Sequence, residues 1–283
     1  MSILTKNYST NVNANNDGNV LTIKTVQIAP FKTLVTALKD ILLETNVSFK
    51  PDGMRIINMD KSHTVLVYLN LEALKFEHYE CKKEKIIIGM NMVHFFKLIS
   101  SSDSDETMSM YIENSDYVDG IVSNLTVKFE NGDIKQRRIL KLRLIEPELE
   151  ELEYPDVKFS SIINLPSADF QKIIRDLSCI SDKLEIKSVG DELIFKCIGG
   201  FATAEITRAE ADGSMKFIEK QDSTKINQGE FSLKNLGYFI KCTNLCPQIE
   251  VYLENDLPLV VKYNVASLGH IQLCLAPLPS SSC

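Results

Sequence analysis

Two hydrophobic periods alternate along the chain. Apolar residues at helical spacing mark four short amphipathic segments: Phe31–Thr45 (FKTLVTALKDILLET), Asn91–Ser101 (NMVHFFKLISS), Ser167–Cys179 (SADFQKIIRDLSC) and Ser232–Cys242 (SLKNLGYFIKC). Between them run β-branched, alternating stretches such as TVLVYLNL, NLTVKFEN, DELIFKC and QIEVYLEND, the pattern of strands with one buried face. The third helical segment opens on Pro166-Ser167, a helix-start signal, and aligns Phe170, Ile173, Ile174 and Leu177 on one side. Few helices among many strands predict an α+β fold.

The pattern also repeats. LKDILLETNVSFKPDGMRI aligns with IRDLSCISDKLEIKSVGDELI, which sets Lys39-Asp40 against Arg175-Asp176 at a spacing of 136 residues. The turn glycines Gly53 and Gly190 follow at 137, and the second and fourth helices lie about 140 residues apart. Two similar domains, each with two helices packed on antiparallel sheet, are expected at 21–144 and 158–278. Residues 145–157 (IEPELEELEYPDV) hold six carboxylates and two prolines and are expected to form an exposed linker. The Asn-rich residues 1–20 predict a disordered polar extension with no apolar signal core, and 279–283 a short tail.

Composition narrows the function classes. Seven scattered cysteines in 283 residues fit reduced thiols in an intracellular protein; Cys242 and Cys246 have ligand-like spacing but no second pair completes a metal site. No apolar run approaches the roughly 20 residues needed to span a bilayer, so no membrane partner is expected. P-loop, GxGxxG, HExxH and GxSxG motifs are absent, which argues against an enzyme and against a bound cofactor.

The net charge of −7 argues against nucleic-acid binding until it is divided by position. The four helical segments carry Lys32, Lys39, Lys97, Lys172, Arg175, Lys234 and Lys241 against four acids, a balance of +3, while the rest of the chain stands at −10. Each helix places at least one base opposite its apolar stripe; Lys234, Tyr238 and Lys241 share one such face. Lysines on a solvated helix face are ordinary taken one helix at a time. The same polarity on all four helices of a duplicated chain suits the phosphate backbone of a duplex, contacted without sequence readout.

From about Leu21 to Pro277 the chain resembles the eukaryotic and archaeal sliding clamps, the proliferating cell nuclear antigen family. The resemblance lies in the order and spacing of ALKDILLE (37–44), NMDKSHTVLV (58–67), IGMNM (88–92), LPSADFQKIIRDLSCISD (165–182), LPLVVKYNVASLGHI (257–271) and LAP (275–277). It implies the DNA clamp fold and a homotrimeric ring whose helices line a channel around double-stranded DNA. The implied function is a DNA polymerase processivity factor. Lys32, Lys39, Lys97, Lys172, Arg175 and Lys241 match channel positions; Lys234 is assigned from the helical wheel alone. A hydrophobic groove for short motifs of polymerases and other replication and repair proteins is implied at Met59, His63 and Leu66. It continues at Leu152, Tyr154 and Pro155 of the linker, and at Pro258, Leu275, Ala276 and Pro277.

Neighbouring subunits would pair through edge strands near Arg137–Leu144 and Ala202–Arg208. A clamp-loader ATPase is implied as a further partner, and the nucleus or a viral replication site as the location. A clamp-like factor acting as a monomer, or as one subunit of a heterotrimeric checkpoint clamp, is the alternative. The chain departs from the family in having Cys274 where a tyrosine commonly precedes Leu-Ala-Pro, Ser100 in place of a channel base, and Gly190 where eukaryotic members carry a modified lysine.

Overall fold

A computed structural model of the chain describes residues 18–103, 105–148, 150, 152–154, 157–220 and 225–279. The first half contains β1 (Asn19–Thr25), α1 (Ile28–Ile41), β2 (Glu44–Lys50), β3 (Gly53–Met59), β4 (Val65–Glu72), β5 (His78–Cys81), β6 (Ile86–Asn91), α2 (Met92–Ser100), β7 (Thr107–Glu113), a small hairpin of β8 (Tyr117–Val118) and β9 (Ile121–Val122), β10 (Asn124–Asn131) and β11 (Gln136–Arg143). The second contains β12 (Ser161–Pro166), α3 (Ser167–Ser178), β13 (Lys183–Val189), β14 (Glu192–Ile198), β15 (Thr203–Ala209), β16 (Lys216–Glu219), β17 (Ile226–Ser232), α4 (Leu233–Phe239), β18 (Gln248–Leu253), β19 (Leu259–Val265) and β20 (Gly269–Leu275). The fold is α+β, with predominantly antiparallel sheets and four short helices.

The duplication is carried strand for strand. In the first half β11-β10-β7-β1-β5 form one sheet, and in the second half β20-β19-β18-β12-β16 lie in the same order. The remaining strands, β4-β3-β2-β6 and β15-β14-β13-β17, are again in matching order. The two halves join where β20 pairs antiparallel with β4, from Gly269 opposite Leu71 to Leu275 opposite Val65, so that nine strands become one sheet. The same correspondence makes β11 the counterpart of β20 and β15 the counterpart of β4. Both counterparts are sheet edges within this chain.

Alternation explains the core. Val65, Val67, Leu69 and Leu71 of β4, and Ile271, Leu273 and Leu275 of β20, are buried from one face of the joined sheet. The helices bury their predicted stripes, with Phe170, Ile173, Ile174 and Leu177 of α3 each at most 2% exposed. Each such side chain contributes roughly 1.5–3 kcal/mol of transfer free energy. Asn91 caps α2 and Ser232 caps α4, each side chain accepting from a backbone N–H three residues on. Ser167 is not the cap of α3. Pro166 holds that position, and the Ser167 hydroxyl donates to the Cys246 carbonyl at 2.5 Å.

Two predicted helices change length. α1 runs from Ile28 to Ile41 rather than from Phe31 to Thr45. Pro30 sits in its first turn, where a missing N–H costs nothing. At the other end Glu44 and Thr45 leave the helix to pair with Asn91 and Met90 of β6. The fourth helix is α-helical only to Phe239 and continues as a 3-10 segment, Ile240–Leu245, so Lys241 lies on the tighter turn.

Gly269 opens β20 at the seam with φ +156°, and an added Cβ would lie 2.1 Å from the Asn70 carbonyl oxygen. Gly269→Ala is therefore expected to destabilise the fold by about 1–3 kcal/mol, seen as a lowered Tm in thermal denaturation.

Candidate functional site

The helices form one continuous row. α2 packs on α1, α1 on α4 and its 3-10 extension, and these on α3. Phe31 and Phe95 meet edge to face at 6.2 Å between α1 and α2, and the Gln171 amide of α3 donates to the Ile240 carbonyl at 3.1 Å. Lys97, Lys172, Arg175 and Lys234 are exposed and form no ion pair among the described residues. The other three bases are engaged. Lys32 donates to the Ser102 carbonyl at 3.1 Å. Lys39 and Lys241 flank Asp40 at 2.6 and 2.5 Å, tying α1 to the 3-10 segment across the seam between the halves. Lys39 also stands over the Phe96 ring and Lys241 over Tyr238. Burial pushes the Asp40 carboxyl up, but hydrogen bonds from Lys241 and Lys39 outweigh it and hold the group below its ordinary value.

On another part of the surface, a largely apolar pocket of about 150 Å³ lies beside the seam, lined by Met59, Thr64, Leu66, Tyr154, Val157, Phe159, Pro258, Val260, Cys274 and Ala276. The structure thus brings together five of the sequence-predicted groove residues: Met59, Leu66, Tyr154, Pro258 and Ala276. His63 and Leu152 line an adjoining pocket of about 360 Å³, which shares Met59. Leu275 is not in the groove. It is 1% exposed and faces the core with Val65, while the preceding pair, Cys274 and Leu66, faces the pocket. Pro277 lines a separate depression beside β13, β14 and β17, where the chain turns and the Leu278 amide donates to the Glu230 carbonyl at 2.7 Å. Pro155 lies outside the described residues.

Thr64, Val157, Phe159 and Val260 were missed. Thr64 and Val260 fall within NMDKSHTVLV and LPLVVKYNVASLGHI, whose order and spacing do not show which side chains line the groove, and Val157 and Phe159 stand in no such stretch. Cys274 gave a signal, as the departure from tyrosine. Burial pushes its thiol up to about 11, and the thiol donates to the Tyr154 hydroxyl at 3.9 Å. Tyr154 in turn stacks on Tyr68 at 4.6 Å, which brings the linker over the sheet.

The linker, whose described carboxylates are exposed, is also anchored to the sheet. The Ile145 amide donates to the Gly89 carbonyl at 3.1 Å, and the Asn46 side chain makes two hydrogen bonds with the Glu148 backbone, at 2.7 and 3.0 Å. Gly89 permits this crossing, since an added Cβ would stand 2.6 Å from the Ile145 carbonyl oxygen.

Asp60 organises the loop between β3 and β4. Its Oδ1 accepts from the amides of Thr64 and Val65 at 2.8 and 2.7 Å, and Oδ2 accepts from the Ser62 amide and hydroxyl. His63 adopts φ +54° in this turn. Burial raises the Asp60 pKa, but the hydrogen bonds from Ser62, Val65 and Thr64 more than reverse that. The Asp-x-Ser pattern in NMDKSHTVLV is an Asx-turn signal that could have located this residue.

Asp60→Ala is expected to loosen the 60–64 turn at a cost of about 1–3 kcal/mol, read as faster amide exchange there. Because the Asp60 carboxyl is held below 3.8, its support is complete at neutral pH and is lost only in acid, as pH falls through the lowered value. Asp40→Asn is expected to cost up to about 1 kcal/mol and to release two lysines into the helix row. The check is a denaturant melt paired with DNA binding at several salt concentrations, in which the variant binds more tightly.

Comparison with known proteins agrees with this architecture. Family models for proliferating cell nuclear antigen match its N-terminal domain to residues 20–151 and its C-terminal domain to residues 153–278. A probable DNA polymerase sliding clamp 1 of Paramecium bursaria Chlorella virus 1 is 34% identical over 271 residues, covering 93% of this chain and 99% of the relative. A probable DNA polymerase sliding clamp of Acanthamoeba polyphaga mimivirus is 28% identical over 313 residues, covering 98% of this chain and 66% of the relative. With both domains matched and the two halves repeating strand for strand, the chain belongs to the proliferating cell nuclear antigen family.

Proposed function

We propose that this chain is a DNA polymerase processivity factor, a sliding clamp that closes as a homotrimeric ring around duplex DNA. The observation that carries the ring is the seam. Within one chain β20 and β4 join two sheets edge to edge, and their counterparts β11 and β15 are left as edges at opposite ends. A second copy offers β15 to β11 in the same arrangement, a heterologous contact that can close a ring. β11 carries four bases and no acid, of which Arg138 and Lys141 are paired with Glu106 and Asp116 and Arg137 and Arg143 are exposed; β15 carries the exposed Glu205 and the half-buried Arg208, the latter paired with Asp169.

The row of helices, with Lys97, Lys172 and Arg175 free of ion pairs among the described residues, supports a non-specific contact with phosphates. Because Lys39 and Lys241 are held by Asp40, that contact is weak, as a ring that slides requires. The pocket around Met59, Leu66 and Cys274 supports docking of an apolar or aromatic anchor from polymerases and other motif-bearing partners. Opening and loading fall to a separate loader ATPase, since the sequence carries no P-loop. The two viral relatives favour a viral replication site as the place of action.

Light scattering after size exclusion tests the ring. The expected mass is about 96 kDa, three times the 31.9 kDa chain. A mass near that of one chain would overturn the homotrimer in favour of a monomer or a mixed ring. Substituting Lys97→Glu, Lys172→Glu and Arg175→Glu together is expected to leave the mass unchanged. It should flatten the salt dependence of DNA binding by about one unit of slope for each phosphate no longer neutralised, and shorten polymerase runs.

A further inference from the structure

The internal repeat gives each part of the groove a counterpart. The groove is framed by the β3–β4 connection, which follows Met59; by the β18–β19 connection, which ends at Pro258; and by the end of β20. The counterparts are the β14–β15 connection, which follows Ile198; the β7–β10 connection; and the end of β11. The strand ends also correspond in register, with Met59 opposite Leu66 and Ile198 opposite Thr203. The two connections that precede β19 and β10 lean on matching strands. Asn255 bonds to the backbone of Gln228 and Ile226 on β17, and β9 packs against β6.

In one chain these counterparts lie apart, one group beside the β15 edge and the other beside the β11 edge. Both are apolar and exposed. Ile198 is 71% and Phe201 79% exposed at the β15 end; Val118 is 61% and Ile121 70% exposed at the β11 end.

The β11 end is a built feature. The β18–β19 connection takes five residues, whereas the β7–β10 connection takes ten and folds into the hairpin of β8 and β9. Val118 and Ile121 are its last cross-strand pair, closed by Asp119 and Gly120 at φ +52° and +87°. Its base is braced. Asp116 is buried and meets Lys141 of β11 at 2.8 Å and the Asn124 amide at 2.8 Å. The Leu144 amide donates to the Ser123 carbonyl at 3.0 Å, and Lys83 stands over the Tyr117 ring. Two apolar side chains are thus held in water on a fixed hairpin.

We infer that the hairpin 117–122 is a clasp for a second copy of this chain. Its Val118 and Ile121 pack on Ile198 and Phe201 of the next copy, beside the join of β11 with β15. The inference rests on the head-to-tail ring proposed above and adds a contact outside the strand ladder. Each apolar pair covers the other, on the two sides of one join, at the position that within a chain is left open as the groove. The clasp fills the boundary between copies, which leaves one open groove per chain.

The test is a dilution series of the full chain, following mass by light scattering, for wild type and for the double variant Val118→Asp, Ile121→Asp. Both positions are exposed, so an unchanged circular dichroism spectrum and Tm are expected. The concentration at which trimers dissociate is expected to rise roughly tenfold or more. As an independent measurement, Ile121→Cys combined with Phe201→Cys is expected to give covalently closed trimers under mild oxidation, while either single variant does not. Wild-type trimers with an unshifted dissociation point in the Asp variant and no specific cross-link would overturn the clasp and leave the ring standing. A wild type that stays near 32 kDa at every concentration would overturn the ring, and the clasp with it.

Discussion

The antiparallel ladder between β4 and β20 is the constraint on which the rest of the molecule depends. Seven facing residue pairs convert two sheets from different halves into one of nine strands. One face of that ladder is core, with Val65 and Leu275 among its buried residues. The opposite face places Leu66 beside Cys274, and the groove opens there. The same ladder brings α1 against the 3-10 segment after α4, close enough for Asp40 to hold a lysine from each. Core, groove and helix row are consequences of one strand pairing, and a slip of one residue would exchange the core and groove faces.

Charge is distributed to match. A chain of net charge −7 gathers exposed bases along its helices, yet two of the seven share one carboxylate, which offsets half their charge, and a third is turned to a backbone carbonyl. The row is positive but moderate. A contact of that kind attracts phosphates over a few ångströms and releases them readily in salt, which suits retention by topology rather than by grip.

The linker and the hairpin 117–122 illustrate how the duplicated halves acquire different roles. The segment after β11 crosses β6 at Gly89 and continues over the sheet to place Tyr154 on Tyr68. The segment after β20 crosses β17 at Glu230 in the same way. One repeat thereby covers its outer sheet with a connection to the next domain; the other leaves a depression lined by Lys183, Gln228 and Pro277.

Periodicity alone located all four helices, the repeat and the alternating strands, because each is written in residues a few positions apart and is imposed by local backbone geometry. It also picked out the seven helical bases, whose positions on a helix surface follow from the wheel. It misplaced the end of α1, where pairing with β6 overrides helical preference. The family resemblance set Leu275 and Pro277 in the groove with Ala276; Leu275 faces the core from the last position of β20, and Pro277 lies past the strand, where the chain turns towards β17. It also supplied Met59, Leu66, Tyr154, Pro258 and Ala276; Thr64, Val157, Phe159 and Val260 joined them only in the folded chain. Those residues come from segments as far apart in sequence as Met59 and Ala276, and their meeting depends on which two edge strands pair. Edge pairing is a competition among long-range contacts, to which local sequence contributes little, and it is settled by the buried area and hydrogen bonds of the complete fold.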